Sequence, residues 1–232
     1  MPNWSAGTMQ SYSAIIPAFN AAAFIGDAIA SIRAQTVQPA QIIVVDDGSS
    51  DGTANVVRGI GDDIVILHQE NRGVGAATTA GFAVSRAPLL ATLDSDDLWL
   101  PNKMEAQLAR LAEEASLCGV FAHIQPFRPA DGQHASKRNT SVPGWLRTTM
   151  VIRREAFTTI GPIIDPPGGC GDMVDWLARV REGGHRLTML EDTLALRRIR
   201  PGSLSSTHNA DRDGGYLYAA RQAILRKRAG QD

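Results

Sequence analysis

Leu89 to Leu100 reads Leu-Leu-Ala-Thr-Leu-Asp-Ser-Asp-Asp-Leu-Trp-Leu. An apolar run, Leu89 to Leu93, leads directly into three carboxylates, Asp94, Asp96 and Asp97. The apolar side chains call for a core, and unpaired carboxylates cannot follow them into it. The run is therefore a buried strand, and the acids stand where it emerges, at the carboxyl edge of a sheet. Open α/β sheets take their ligands at that edge. Hard oxygen donors at this spacing suit Mg2+ or Mn2+, which bind one or two carboxylates and complete their shell with water and substrate phosphate. A solvated acidic turn capping a helix at Pro101 would show the same short pattern, so the rest of the chain decides.

Upstream, Tyr12 to Pro17 reads as a first strand stopped by its proline, with Asn20 placed to cap a helix over Ala21 to Gln35. That helix shows Phe24, Ile25, Ala28, Ile29 and Ile32 at helical spacing. Gln41 to Val45 is a β-branched buried strand, and it ends in Asp46-Asp47-Gly48-Ser49-Ser50-Asp51-Gly52-Thr53. A helix from Thr53 to Arg58, a strand from Asp63 to His68, and a helix over Ala76 to Ser85 opened by Asn71-Arg72-Gly73-Val74-Gly75 complete the segment. Strand and helix thus alternate four times, the pattern of a parallel sheet covered on both faces. The second and fourth strands both end in aspartates, which places both acidic tips on one edge.

Downstream the expected elements are a helix from Asn102 to Glu114, a strand from Leu117 to Phe127, a polar loop from Arg128 to Val142 and a strand from Arg147 to Ile152. A short helix, Arg154 to Ile160, and a turn-rich stretch, Gly161 to Gly171, follow. A helix over Asp172 to Glu182, strands over His185 to Leu190 and Thr193 to Ile199, an unassigned Leu204 to Asp213 and a helix over Gly214 to Arg228 end the chain. No repeat or long linker divides it, so the expectation is a single domain, with Met1 to Ser11 a frayed, disordered end.

The 232 residues carry 23 basic and 24 acidic side chains, a net charge of −1, which excludes a basic nucleic-acid footprint. No apolar run is long enough for a transmembrane helix, and Met1 to Ser11 lacks the features of a signal peptide. Cys118 and Cys170 show no metal spacing and read as free thiols in a reducing cytoplasm. Two motif look-alikes fail. A calcium loop starting at Asp47 would need an acid where Arg58 stands. A dinucleotide fingerprint at Gly73-Val74-Gly75 would need glycine where Thr78 stands, and would follow the first strand rather than the third. Asp172 and Asp175 open the late helix, either as dipole-stabilising first-turn acids or as a general base presented to a cleft. Arg197, Arg198 and Arg200 read either as a phosphate site or as a solvated basic face.

Taken together, these motifs resemble the family 2 glycosyltransferases of the GT-A fold. The resemblance rests on Ile16-Pro17-Ala18-Phe19-Asn20, Ile43 to Thr53, Asn71 to Gly75 and Leu93 to Asp97, in this order and spacing, with Asp172 to Arg179 where the family carries its catalytic base. It covers about residues 12 to 200 and implies an α/β, Rossmann-like, mostly parallel sheet flanked by helices. It further implies a nucleotide-binding half (12–100), an acceptor half (101–200) and a C-terminal helical extension (201–232).

The implied activity is inverting transfer of a sugar from a nucleotide-sugar donor, a UDP-sugar foremost, to a saccharide, lipid-linked or other acceptor hydroxyl. Pro17, Ala18 and Phe19 would line the base pocket, Asp46 would contact the base and Arg72 would lie beside the nucleotide, with Asn20, Asp47 and Gly75 also in the nucleotide-sugar site. Asp94 would face the ribose, Ser95 would belong to the same nucleotide-sugar site, and Asp96 would hold Mn2+ or Mg2+. Asp172, with Asp175 ranked second, would be the base. Three departures stand out: Thr78-Thr79 where many members have Arg-Asn, Gly171-Asp172 in place of Glu-Asp, and Arg200 where many members have a metal-binding histidine. They motivate an alternative, a catalytically silent domain that binds a nucleotide or a partner. The expected location is the cytoplasm, with a surface contact at the membrane's inner face as an option for a lipid-linked acceptor through the basic Arg221 to Arg228.

Overall fold

The computed structural model describes residues 11–128, 140–200 and 210–229. Residues 1–10 of the expected frayed end, most of the loop Arg128 to Val142 and most of Leu204 to Asp213 lie outside them. Four strands, β1 (Tyr12–Ala18), β2 (Gln41–Asp46), β3 (Ile64–His68) and β4 (Leu89–Thr92), run parallel in the order β3-β2-β1-β4. Beyond β4 the sheet changes direction. It continues through β8 (Val151–Arg153) and β6 (Leu117–Phe127), each antiparallel to its predecessor, and then β9 (Arg186–Arg198), parallel to β6. The short β5 (Leu98–Trp99) closes the edge against β9, and β7 (Val142–Gly144) pairs with β6.

Strand side chains alternate between two cores, as a sheet covered on both faces requires. Ile16, Val44 and Ala91 face α1 (Ile25–Arg33), α2 (Thr53–Ile60) and α4 (Lys103–Glu113), meeting Ile29, Val57 and Leu111. Ile15, Val45 and Leu90 face α3 (Val74–Val84), α5 (Arg154–Ile160) and α6 (Asp172–Glu182), meeting Phe82, Ala156 and Trp176. Gly81 lets α3 close on β1: a Cβ there would stand 2.5 Å from a methyl of Ile15. The last helix, α7 (Ala210–Ala229), packs on α6. Among the described residues no helix is long and apolar enough to cross a membrane.

Several expected elements are corrected. Pro17 does not stop β1. Its missing N–H would point toward β4, whose pairing with β1 has already ended at Ile15–Thr92, so no ladder bond is lost. Asn20 does not cap α1, which starts later, at Ile25. With φ of 49°, Asn20 instead accepts a hydrogen bond from the Ser50 N–H. The expected strand Arg147 to Ile152 is a 3-10 turn, Arg147–Thr149, leading into β8. The two expected late strands are one strand, β9, in which exposed Glu191 and Asp192 sit at an irregularity in the pairing with β6.

Candidate active site

The carboxyl ends of β1, β2 and β4 open into a cleft of about 640 Å³, bounded on its far side by the 3-10 turn, the loop before α6 and the end of β9. That volume lies within the range of small-molecule sites. Pro17, Ala18, Phe19, Asp47, Asp94 and Ser95 line it, as do Asp96 and Asp172. Phe19 is 50% exposed.

Four expected contact residues do not line the cleft. Asn20 belongs to a clasp in which Ser49, Asp51 and Thr53 accept hydrogen bonds from the N–H groups of Asn20, Ala22 and Ala21. Asp46 is buried, accepting from the Ser49 N–H at 3.0 Å and facing Nδ1 of His68 at 3.1 Å. Arg72 is exposed, and its N–H, with that of Gly73, donates to the carboxylate of Asp47. Gly75 is buried in the first turn of α3.

The three acids of the tip have separate surroundings. Asp97 is buried, with one oxygen accepting from the Arg198 N–H at 2.9 Å and the other from the Thr148 hydroxyl at 2.7 Å. Burial, with the charges of Asp94 and Asp96 beside it, pushes its carboxyl up to about 8. Asp94 accepts from Nε of Arg147 at 3.1 Å, and Asp96 from Nε of Arg200 at 2.9 Å. Arg147 also pairs with Asp172, so one guanidinium joins the acidic tip to the start of α6. Although buried, Arg147 is held above the ordinary arginine range by the two carboxylates. Asp172 thus faces the cleft. Asp175, one helical turn on, does not line it: its oxygens are held by Arg226 of α7 at 2.8 Å and by Arg179 at 3.0 Å.

The sequence reading missed Arg147, Asp165 and Tyr216, which all line the cleft. Asp165 accepts from the N–H groups of Gly75 and Ala76, at 2.9 and 2.8 Å. It supplies the anion that the N-terminal end of α3 attracts, and burial raises its carboxyl above the usual range. Tyr216 arrives on α7, which approaches so closely that a Cβ on Gly215 would lie 2.2 Å from the Cys170 carbonyl oxygen.

The residues present fit a divalent cation that arrives with a phosphate ligand. Asp94 and Asp96 each keep one carboxylate oxygen without a hydrogen bond among the described residues. The described residues hold no cluster of three or more His, Cys, Asp or Glu that could hold a metal alone. Two hard oxygens plus water and substrate phosphate are what Mg2+ takes in such sites.

The chain matches the family model described as glycosyl transferase family 2 over residues 13–164. It is 29% identical over 235 residues to the succinoglycan biosynthesis protein ExoU of Rhizobium meliloti, covering 91% of this chain and 68% of ExoU. An uncharacterized glycosyltransferase of Nostoc, alr2836, is 35% identical over 116 residues, which are 48% of this chain and 36% of that relative. The chain therefore spans only about a third of the length of the first curated relatives it matches. Among solved structures, S. aureus TarS with UDP-GlcNAc superposes with a TM-score of 0.70 at 17% identity, over 93% of this chain and 66% of TarS. The mannosyltransferase PcManGT of Pyrobaculum calidifontis, in complex with GDP-Man and Mn2+, gives 0.69 at 17% identity, over 92% of this chain and 64% of its own. These likenesses show the GT-A fold, as expected.

Proposed function

The chain belongs to glycosyl transferase family 2, and we propose on that premise that it moves a sugar from a nucleoside-diphosphate sugar, a UDP-sugar foremost, to an acceptor hydroxyl with inversion. One observation carries the reading: a single cleft holds a strand-tip acid pair on one side and Asp172 on the other, tied through Arg147. The nucleotide sugars bound by TarS and PcManGT support the donor class. The proposal keeps the division expected from the sequence, residues 12–100 for the nucleotide and 101–200 for the acceptor side. ExoU's place in succinoglycan biosynthesis supports a saccharide acceptor.

In this reading Pro17, Ala18 and the exposed Phe19 receive the base. Asp47 acts indirectly, fixing the loop of Arg72 and Gly73 beside it. Asp94 and Ser95 face the ribose. Asp96 would hold Mn2+ or Mg2+, which supplies neutralisation of the charge on the leaving nucleoside diphosphate. Arg147 holds one oxygen of Asp172, and the other takes the proton of the acceptor hydroxyl as its oxygen attacks the anomeric carbon. The bond from that carbon to the diphosphate breaks on the opposite face, giving inversion in one displacement, as a carboxylate base does with water in inverting glycosidases. Asp175 is assigned a structural part, because both its oxygens are paired outside the cleft.

The test is Asp172→Asn, assayed for sugar transfer and for slow donor hydrolysis by water. The rate should fall about 100-fold or more while nucleotide affinity stays within about threefold. A variant as fast as wild type contradicts the assignment.

A further inference from the structure

We propose that Arg200 is a latch on Asp96: it keeps a bare divalent cation off the acidic tip and yields to the donor's diphosphate, so that cation and nucleotide enter together. The inference rests on the glycosyltransferase reading and deepens it at one residue.

The carboxylate of Asp96 already carries the guanidinium of Arg200, Nε to Oδ2 at 2.9 Å. Arg200 is steered there. Its guanidinium lies 5.0 Å from the centre of the Phe24 ring, which Arg198 also faces at 5.2 Å. Arg198 in turn is fixed by Asp27 and by the Asp96 carbonyl. The neighbouring acid, Asp94, carries Arg147 in the same way. A dication approaching either carboxylate from water therefore meets a positive charge at ion-pair distance. It also finds few ligands, since the described residues contribute no cluster of three or more His, Cys, Asp or Glu.

A diphosphate removes both obstacles. Its oxygens offer a guanidinium paired hydrogen bonds that one carboxylate oxygen cannot match. They also complete a hard-oxygen shell beside Asp96. The latch is easily exchanged: the side chains of Arg200 and Asp96 are 38% and 22% exposed, and pairs of that kind shift an equilibrium by only about fivefold or less. Arg197, which lines the same wall and makes no ion pair among the described residues, adds positive potential for the phosphates.

The test measures Mn2+ uptake by loss of the free-ion spin-resonance signal, without and with UDP or GDP. Wild type, Arg200→Gln and the double variant Arg200→Gln with Asp96→Asn are compared, each checked for native circular dichroism and melting. Wild type should take up little Mn2+ until nucleotide is added. Arg200→Gln should bind Mn2+ alone about fivefold more tightly and nucleotide several-fold more weakly, and the double variant should lose that extra Mn2+ binding. Equal Mn2+ affinity in wild type and Arg200→Gln, with nucleotide still bound, overturns the latch and leaves the glycosyltransferase reading standing. Failure of wild type to bind either nucleotide, with or without Mn2+, overturns both.

Discussion

Lys103 is fully buried, and its amine has no carboxylate partner among the described residues. Its Nζ lies 3.7 Å from the sulfur of Met104 and 4.1 Å from the centre of the Trp99 ring. Burial therefore pushes its pKa well below the ordinary lysine value. A lysine depressed in the folded state binds fewer protons there than in the unfolded chain, so it costs stability at neutral pH, and the cost shrinks as pH rises toward the unfolded value. Lys103→Met should raise stability by about 1 kcal/mol or more at pH 7 and flatten its rise between pH 7 and 10, read from urea unfolding at several pH values. An unchanged pH slope would contradict this.

Among the residues lining the cleft, some were legible in the sequence and some were not. Asp94, Asp96 and Asp172 were legible because each follows a clear strand or opens a clear helix. Arg147 was not: the apolar Met150-Val151-Ile152 behind it drew the whole stretch into a strand, hiding the turn that aims its side chain. Asp165 meets the start of α3 across 90 residues of chain, a contact no local pattern encodes.

At the scale of elements, the helices and the long strands are legible in the sequence, the seven-residue α5 among them, and the two shortest edge strands are not. β5 and β7 span two and three residues and carry too little alternation to register. β9 was split because Glu191 and Asp192 break its apolar pattern where its pairing with β6 is irregular. The element that most affects the site is α7. Its Arg226 reaches both Asp175 and Glu182 on α6, whose first residue is Asp172. Arg226→Ala should release α7 from α6 at a cost of about 1–2 kcal/mol, discounted because Arg226 is one-third exposed. Hydrogen exchange should then speed up in α7 and the first turns of α6 and stay unchanged in β1 to β4. Undiminished protection of α7 would show that Arg226 does not hold it.

For the whole molecule, the sheet explains where the site is. Parallel β1 to β4 bring two acidic strand ends to one edge, as the alternation of the first hundred residues implied. The direction then reverses at β8, and the antiparallel half returns β9 and α6 to face that edge. The first half was legible because every βαβ unit repeats one pattern. The second was legible only as a set of elements, because its pairings join distant segments. On the proposed function this cleft binds a nucleoside diphosphate. The direct measurement is a calorimetric titration of the chain with UDP, GDP and dTDP in Mn2+, repeated with Asp96→Ala. Saturable binding of one nucleotide, UDP foremost, is the expected result, weakened about tenfold or more in the variant. No binding of any of the three, or binding that Asp96→Ala leaves untouched, would contradict it.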